Sequence, residues 1–190
     1  MACSKLNNML NRPQEKLRFL SHQYGRVRLN PNLVSSDVDL FIKLARQVIN
    51  PKIDNSKRRE CLERALQLYA GDVPCDHCRN DELQIERTRY RNLNLELLVK
   101  LCRLQHESGQ SEQALELCQR GIELDPVRED LHYLKMQIEL GLGKRVSALR
   151  SYLFCEQMLA RELGVRPAQA TRLLYRNTAE SAALPGSVIE

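Results

Sequence analysis

Two stretches of the chain repeat each other at a fixed offset. Gly109 and Gly143 stand 34 residues apart, and so do the pairs Ala114-Leu115 and Ala148-Leu149. Around them, Gly-Gln-Ser-Glu-Gln-Ala-Leu-Glu-Leu-Cys lines up with Gly-Lys-Arg-Val-Ser-Ala-Leu-Arg-Ser-Tyr. A period of this length fits one helix–turn–helix unit. The glycine permits the turn, and the small alanine on the second helix lets the paired helices approach closely. Each unit leaves an apolar face that only the next unit covers, so several must stack. The expectation is an all-α fold. Eight Gly and seven Pro in 190 residues supply too few turn formers for an all-β sandwich.

The period is that of the tetratricopeptide repeat (TPR), and Pro126, twelve residues after Ala114, falls where that repeat carries its proline. About seven helices are predicted from apolar spacing. Ser36 or Asp37 caps the first, which carries Val38, Phe41, Leu44, Ala45 and Val48 and stops at Asn50-Pro51. Asn55 or Ser56 opens the second, with Cys61, Leu62, Ala65, Leu66 and Tyr69 on one face and Gly71-Asp72 at its end. Residues 73–80 read as a polar connector. A long helix follows over about 81–107, with Tyr90, Leu93, Leu97, Leu98, Leu101 and Leu104 as its stripe. Shorter helices are expected from Ser111 to Leu124, over 127–141 and over 144–163. Pro167 begins a last one, with Leu173, Leu174 and Tyr175 turned inward. The tail over 181–190 reads as flexible.

The first 36 residues have a different character. They hold six of the 29 basic residues and one of the 24 acidic ones, a net charge of +5, which leaves the remaining chain at zero. A basic segment on a neutral body suits a polyanion, with nucleic acid the first candidate; a merely solvated basic tail is the plainer alternative. Aromatic residues make up 5% of the chain and Trp is missing, which argues against an aromatic platform for stacking bases. Leu17, Phe19, Val27 and Leu29 alternate with Arg18, Arg26 and Arg28 on either side of His22-Gln23-Tyr24-Gly25, the pattern of a two-stranded hairpin. Leu33-Val34 is a candidate for a further short strand. Lys16, Arg18, Arg26 and Arg28 are the candidate contacts to a DNA backbone, which give affinity and salt dependence rather than sequence choice.

Seven cysteines, an odd number spread mostly through helical patterns, fit free thiols in a reducing compartment. With no signal-peptide pattern and no apolar run of membrane-spanning length, a cytoplasmic protein without a membrane partner is expected. Cys75-Asp-His77-Cys78 is the one cluster with a chemical look, and Cys61 or Cys102 would be available to complete a zinc site. A structural zinc needs four ligands, and a lone pair of cysteines without a second pair is weak. A cysteine-containing loop is the simpler reading, so no metal or cofactor is expected. No phosphate-cradling Gly-rich turn and no nucleophile–histidine–acid spacing is found, and no enzyme is predicted. His132 is read as a packing or capping residue.

The stretch Asp125-Pro-Val-Arg-Glu-Asp-Leu-His132, followed by Gly143-Lys-Arg-Val-Ser-Ala-Leu-Arg-Ser-Tyr152, Arg161-Glu-Leu-Gly-Val-Arg-Pro167 and Thr171-Arg-Leu-Leu-Tyr175, resembles the bacterial transcriptional activator domain. That is the TPR-like domain of SARP-type transcriptional regulators. Asp37-Val-Asp-Leu-Phe41, Leu68-Tyr-Ala-Gly-Asp72 and Glu86-Arg87 also look like that pattern, so the resemblance spans about residues 37–180. It implies an OmpR-like winged helix ahead of the helical domain, with residues 16–36 as its wing and residues 3–11 as the end of its recognition helix. The chain departs from the pattern in lacking the earlier winged-helix elements and the tryptophan after the Gly-Asp turn, a place Leu83 or a neighbour would fill. The domains expected are a partial winged-helix remnant over 1–36, the TPR-like domain over 37–180 and the tail. The resemblance implies a transcriptional regulator whose helical body contacts the transcription machinery or self-associates as a homodimer, with DNA at the basic segment. The alternative is a stand-alone TPR-like adaptor that binds proteins and no DNA.

Overall fold

The computed structural model of the chain describes residues 19–23, 26–30, 32–71 and 81–180. Among them, two short strands precede seven helices: β1 (Leu20–Gln23), β2 (Arg26–Leu29), α1 (Asp37–Ile49), α2 (Asn55–Leu68), α3 (Asp81–Glu107), α4 (Ser111–Leu124), α5 (Glu129–Gly141), α6 (Arg145–Leu163) and α7 (Gln169–Glu180). The chain divides into two compact units, residues 1–43 and 44–190, with the boundary inside α1.

In the first unit β1 and β2 pair antiparallel, Leu20 opposite Leu29 and Gln23 opposite Arg26. The strands take in His22 and Gln23, which the alternation assigns to the turn. The predicted strand at Leu33-Val34 does not form. Asn30 consumes the backbone there: its carbonyl accepts from the N–H groups of Leu33 and Val34, both at 3.0 Å, while its side chain accepts from Asn32 N–H at 3.1 Å. Donors bound back to a local turn are not free to pair across a sheet. Ser36 then starts α1. Its hydroxyl accepts from Asp39 N–H at 3.1 Å, and the Asp39 carboxylate takes both the Ser36 N–H and hydroxyl in return, a capping box with aspartate in the acidic place. The Ser36 hydrogen bonds hold the Asp39 carboxyl below its ordinary pKa.

In the second unit, consecutive helices pack on one another from α2 through α7, and α3 also meets α5. The 34-residue period reappears as geometry. Gly109 and Gly143 both have left-handed backbones, with φ of 78° and 72°, a region that costs a side-chain-bearing residue energy. The N–H just after each, on Gln110 and Lys144, reaches back five residues to the carbonyl of Gln105 or Glu139, at 2.8 Å in both turns. Ala114 and Ala148 are both fully buried. Ala114 lies in a core with Cys102, Cys118, Leu134 and Ile138, and Ala148 lies in a second core with Met136 and Tyr152, against which Leu140, Leu174 and Tyr175 pack. The helix α5 serves both cores, with Leu134 and Ile138 in the first and Met136 in the second.

Three expectations are corrected at the helix ends and on α7. The cap of α2 is Asp54, whose side chain accepts from Lys57 N–H at 2.8 Å, rather than Asn55 or Ser56. Leu173 is 43% exposed, while Thr171 and Thr178 are buried and Tyr175 stacks on Tyr152 with ring centroids 4.1 Å apart. A threonine satisfies its hydroxyl locally, here Thr178 donating to Leu174 carbonyl at 2.6 Å, and so sits inward without penalty. Leu83, one of the substitutes proposed for the missing tryptophan, is 38% exposed and fills no core position, while its neighbours over 72–80 lie outside the described residues. The start of α7 is also set from a distance: Glu129, 39 residues upstream, accepts from Ala168 N–H at 2.7 Å and from the Thr171 hydroxyl. The residues 181–190 expected to be a flexible tail lie outside the described residues.

Close approach has a second device at Gly121 on α4. A Cβ built there would come within 2.5 Å of Leu131 Cδ1, and Leu131 is fully buried on α5. Gly121→Ala is therefore expected to lose about 1–2 kcal/mol of stability in urea denaturation, although alanine is the better helix former by about 1 kcal/mol. Leu131→Val in the same chain should recover part of that loss. Glu129→Ala is expected to cost about 1–2 kcal/mol, with amide exchange rising selectively in the first turn of α7.

Candidate functional site

Of the basic residues singled out in the sequence, two fall among the described residues. Arg26 and Arg28 stand two apart on β2, opposite Gln23 and Ser21 in the register. Lys16 and Arg18 lie outside the described residues, as does the predicted recognition-helix end at residues 3–11. Cys75, His77 and Cys78 lie outside them too.

The cysteines that are described have other occupations. The Cys61 thiol donates to Gln47 Oε1 at 3.5 Å on the side of α2 facing α1. Cys102, the other candidate to complete a zinc site, is fully buried and its sulfur lies 3.6 Å from that of Cys118. The contact with Cys118, with burial behind it, drives the Cys102 thiol well above the ordinary range. Burial, with the Glu129 and Glu156 carboxylates adding to it, pushes Cys155 up to about 12. Since the thiolate is the nucleophile and the metal ligand, Cys102 and Cys155 are packing residues. Among the described residues, no group of three or more His, Cys, Asp or Glu side chains is placed to hold a metal ion.

The arginines of the long helix do not form one stripe. Arg91 donates to the Leu124 carbonyl at the end of α4, whereas Arg89 meets Glu86 at 3.4 Å on an exposed face. A spacing of two residues turns about 200° around a helix, so alternate positions diverge.

A polar group inside the helical body went unseen in the sequence. Glu139 is 4% exposed, yet it is a carboxylate. Lys135 Nζ lies 3.3 Å from one of its oxygens, and the Ser151 hydroxyl of α6 donates to the other at 2.8 Å. Lys135 also donates to Ser151 Oγ at 3.0 Å, closing a triangle of mutually satisfied groups. His132 lies one turn ahead of Lys135 on α5. Its Nε2 donates to the Pro126 carbonyl at 2.9 Å, and its ring packs on Phe154 with centroids 5.8 Å apart. A carbonyl only accepts, so Nε2 carries the proton. The period-based pattern missed the triangle because Lys135 and Glu139 look like any exposed pair four residues apart; the sole hint is that both fall on helix positions flanked by buried neighbours.

The match to known proteins follows the helices. The bacterial transcriptional activator domain matches residues 36–178. The chain belongs to that family. The domain is the TPR-like one found in SARP-type transcriptional regulators, and its described boundaries agree with the helical body that starts at Ser36. A search of curated proteins returned no significant match. Among solved structures, Mycobacterium tuberculosis EmbR in complex with a low-affinity phosphopeptide is similar, with a TM-score of 0.73 at 16% identity over 94% of this chain. The chain spans 48% of that EmbR chain, about half its length. The C-terminal TPR-containing domain of a Plasmodium falciparum FK506-binding protein is similar at a TM-score of 0.53 and 10% identity, over 78% of this chain and 93% of that one. Both likenesses place the bacterial transcriptional activator domain among TPR-like folds. No helix of the described residues is long and apolar enough to cross a membrane.

Burial holds the His132 imidazole below its ordinary value near 6.5, against the opposing pull of the Pro126 hydrogen bond. The folded state thus favours the neutral ring, and the unfolded chain binds more protons once pH falls to that ordinary value. Stability that rests on the neutral ring is complete above about pH 6.5 and declines as pH falls below it. Urea denaturation between about pH 7.5 and 5.5 should show the wild type losing more stability than His132→Gln, by up to about 1.4 kcal/mol per pH unit. Parallel declines in the two proteins would remove His132 as the source.

Proposed function

We propose that this domain works in a SARP-type transcriptional regulator, with the helical body as the surface for protein contact or self-association and the basic N-terminal segment as a DNA-backbone contact. The observation that carries the proposal is the coincidence of two boundaries. The family match begins at residue 36, and all of the excess positive charge lies in residues 1–36, leaving the body neutral. A body of zero net charge exerts little long-range pull on a polyanion, whereas a net charge of +5 in a short segment does. The likeness to EmbR covers 94% of the chain and so reaches beyond the family match.

Lys16, Arg18, Arg26 and Arg28 are the proposed contacts, and Arg26 and Arg28 have a defined register on the hairpin. Backbone contacts of this kind attract any duplex; base reading needs a recognition element in a groove. For the body, stacked helical hairpins offer an extended surface to a partner helix or peptide. EmbR was solved with a phosphopeptide, which supports a protein partner for regulators of this build without placing it on this domain.

The test is binding of the 190-residue chain to mixed-sequence duplex DNA across a salt series. Four phosphate contacts should give a slope of log K against log salt of about −3.6, or roughly a hundredfold loss between 50 and 200 mM. Replacing all four residues with Gln should abolish that binding while the helical circular dichroism stays unchanged. Lack of binding at low salt would sink the DNA half and leave the domain as a protein-contact adaptor.

A further inference from the structure

The 34-residue offset gives the protein an internal standard for its own core. His132, Lys135, Glu139 and Ser151 in the second repeat correspond to Leu98, Leu101, Gln105 and Leu117 in the first. Leu98 and Leu101 are buried, as the apolar interior of a helical hairpin demands. The fold is therefore satisfied by leucines at places where the second repeat carries an imidazole, a lysine and a hydroxyl, and by the neutral amide of Gln105 where it carries Glu139. A buried ion pair is a poor stabiliser compared with a well-packed apolar pair of similar volume. Its presence in only one of two equivalent units calls for a reason other than folding.

Beside these groups opens a cavity of about 350 Å³, inside the size range of small-molecule sites. The helix α5 contributes His132, Lys135 and Glu139 to its lining, while Ile122 of α4 and Phe154 of α6 supply apolar wall. Arg150 of α6 completes the charged set. The polar valences decide what this space prefers. Both Glu139 oxygens are taken, one by Lys135 and one by Ser151. Lys135 has spent two of its three N–H donors on Ser151 and Glu139. The Arg150 side chain is exposed and makes no ion pair or hydrogen bond within the described residues. One lysine, one arginine and one glutamate leave a net charge of +1 at the cavity, and among these charged groups the unspent valences belong to the two cations. Phe154 is 46% exposed at the same place, a large aromatic surface left open to solvent.

We infer that the cavity between α4, α5 and α6, where Lys135 and Arg150 face the apolar surfaces of Ile122 and Phe154, is a binding site for a small organic carboxylate with an apolar body. The carboxylate takes the remaining Lys135 N–H and the Arg150 fork, and the apolar body covers Phe154 and Ile122. The Lys135–Glu139–Ser151 triangle is the rigid part of the site, because each member fixes the rotamer of the other two. Arg150 is the adaptable part. The site lies in the helical body alone and owes nothing to the N-terminal segment, so it stands or falls separately from DNA binding.

The test uses the full 190-residue chain with benzoate, hexanoate and indole-3-acetate as probes, at constant ionic strength, by calorimetry and amide chemical-shift mapping. Saturable binding of at least one of them is expected, with shifts centred on α5 and α6 around Lys135 and Phe154. Benzamide, the neutral counterpart of benzoate, should bind at least tenfold more weakly. Arg150→Gln and Phe154→Ala, both changes at exposed residues that leave the buried triangle in place, should each weaken the best probe about tenfold, and Arg161→Gln should not. The inference is overturned if none of the three carboxylates saturates, if benzamide or inorganic phosphate binds as tightly as the best carboxylate, or if both variants at Arg150 and Phe154 bind like the wild type.

Discussion

The whole body depends on α5 being covered from two sides. An amphipathic helix with one apolar stripe can close a core against one neighbour, but α5 buries Leu134 and Ile138 in the core shared with α3 and α4, and Met136 in the core shared with α6 and α7. That demand explains the small residues around it. Ala114, Gly121 and Ala148 are fully or nearly fully buried, and each lets a neighbouring helix come close enough for the larger side chains of α5 to fill the space between. Remove the close approach and both cores open at once, because they share one wall. The paired left-handed turns at Gly109 and Gly143 set the angle at which each hairpin returns, and the equal backbone bonds after them make the two units near copies.

On that repeated frame the differences between the copies carry the individuality of the domain. The first repeat carries no charge where the second places Lys135, Glu139 and Ser151, with Leu101, Gln105 and Leu117 at those positions. The contrast is one of satisfaction as well as polarity: every oxygen of Glu139 has a donor and the Ser151 hydroxyl bridges both partners. Such closed triangles resist the low dielectric around them, since no charge is left unanswered. At the far end of α5, Glu129 serves a different element, holding the first turn of α7 through Ala168 and Thr171. A single helix thus packs two cores, carries a buried ion pair and caps a third helix, and the comparison with EmbR shows the same overall arrangement surviving at 16% identity.

Much of the helical architecture was legible because local spacing reports it directly. Apolar residues at three- and four-residue steps located α1 to α6 to within a residue or two, and the glycines marked the turns. The errors fell where a partner distant in the chain, or a local competitor, decided the outcome. Leu33-Val34 has strand-forming side chains, but Asn30 had already claimed its backbone donors. Leu173 seemed the natural inward residue of α7 and proved exposed, because the rotation of that helix follows the Tyr152–Tyr175 stack and the inward threonines.

By itself the sequence determined the period, the number and rough limits of the helices, and the separation of a basic first segment from a neutral body. These are properties of spacing and counting along one dimension, so they needed no fold to be read. Only the tertiary structure decided which polar residues were buried and against what. Glu139 reaches Ser151 across 12 residues, Arg145 reaches Thr178 across 33 and Glu129 reaches Thr171 across 42. Each meeting depends on how one hairpin docks on the next, and docking is set by the summed packing of many small and large side chains. No local window contains that sum, which is why a lysine and a glutamate four residues apart could look like surface and turn out to be the wall of a cavity.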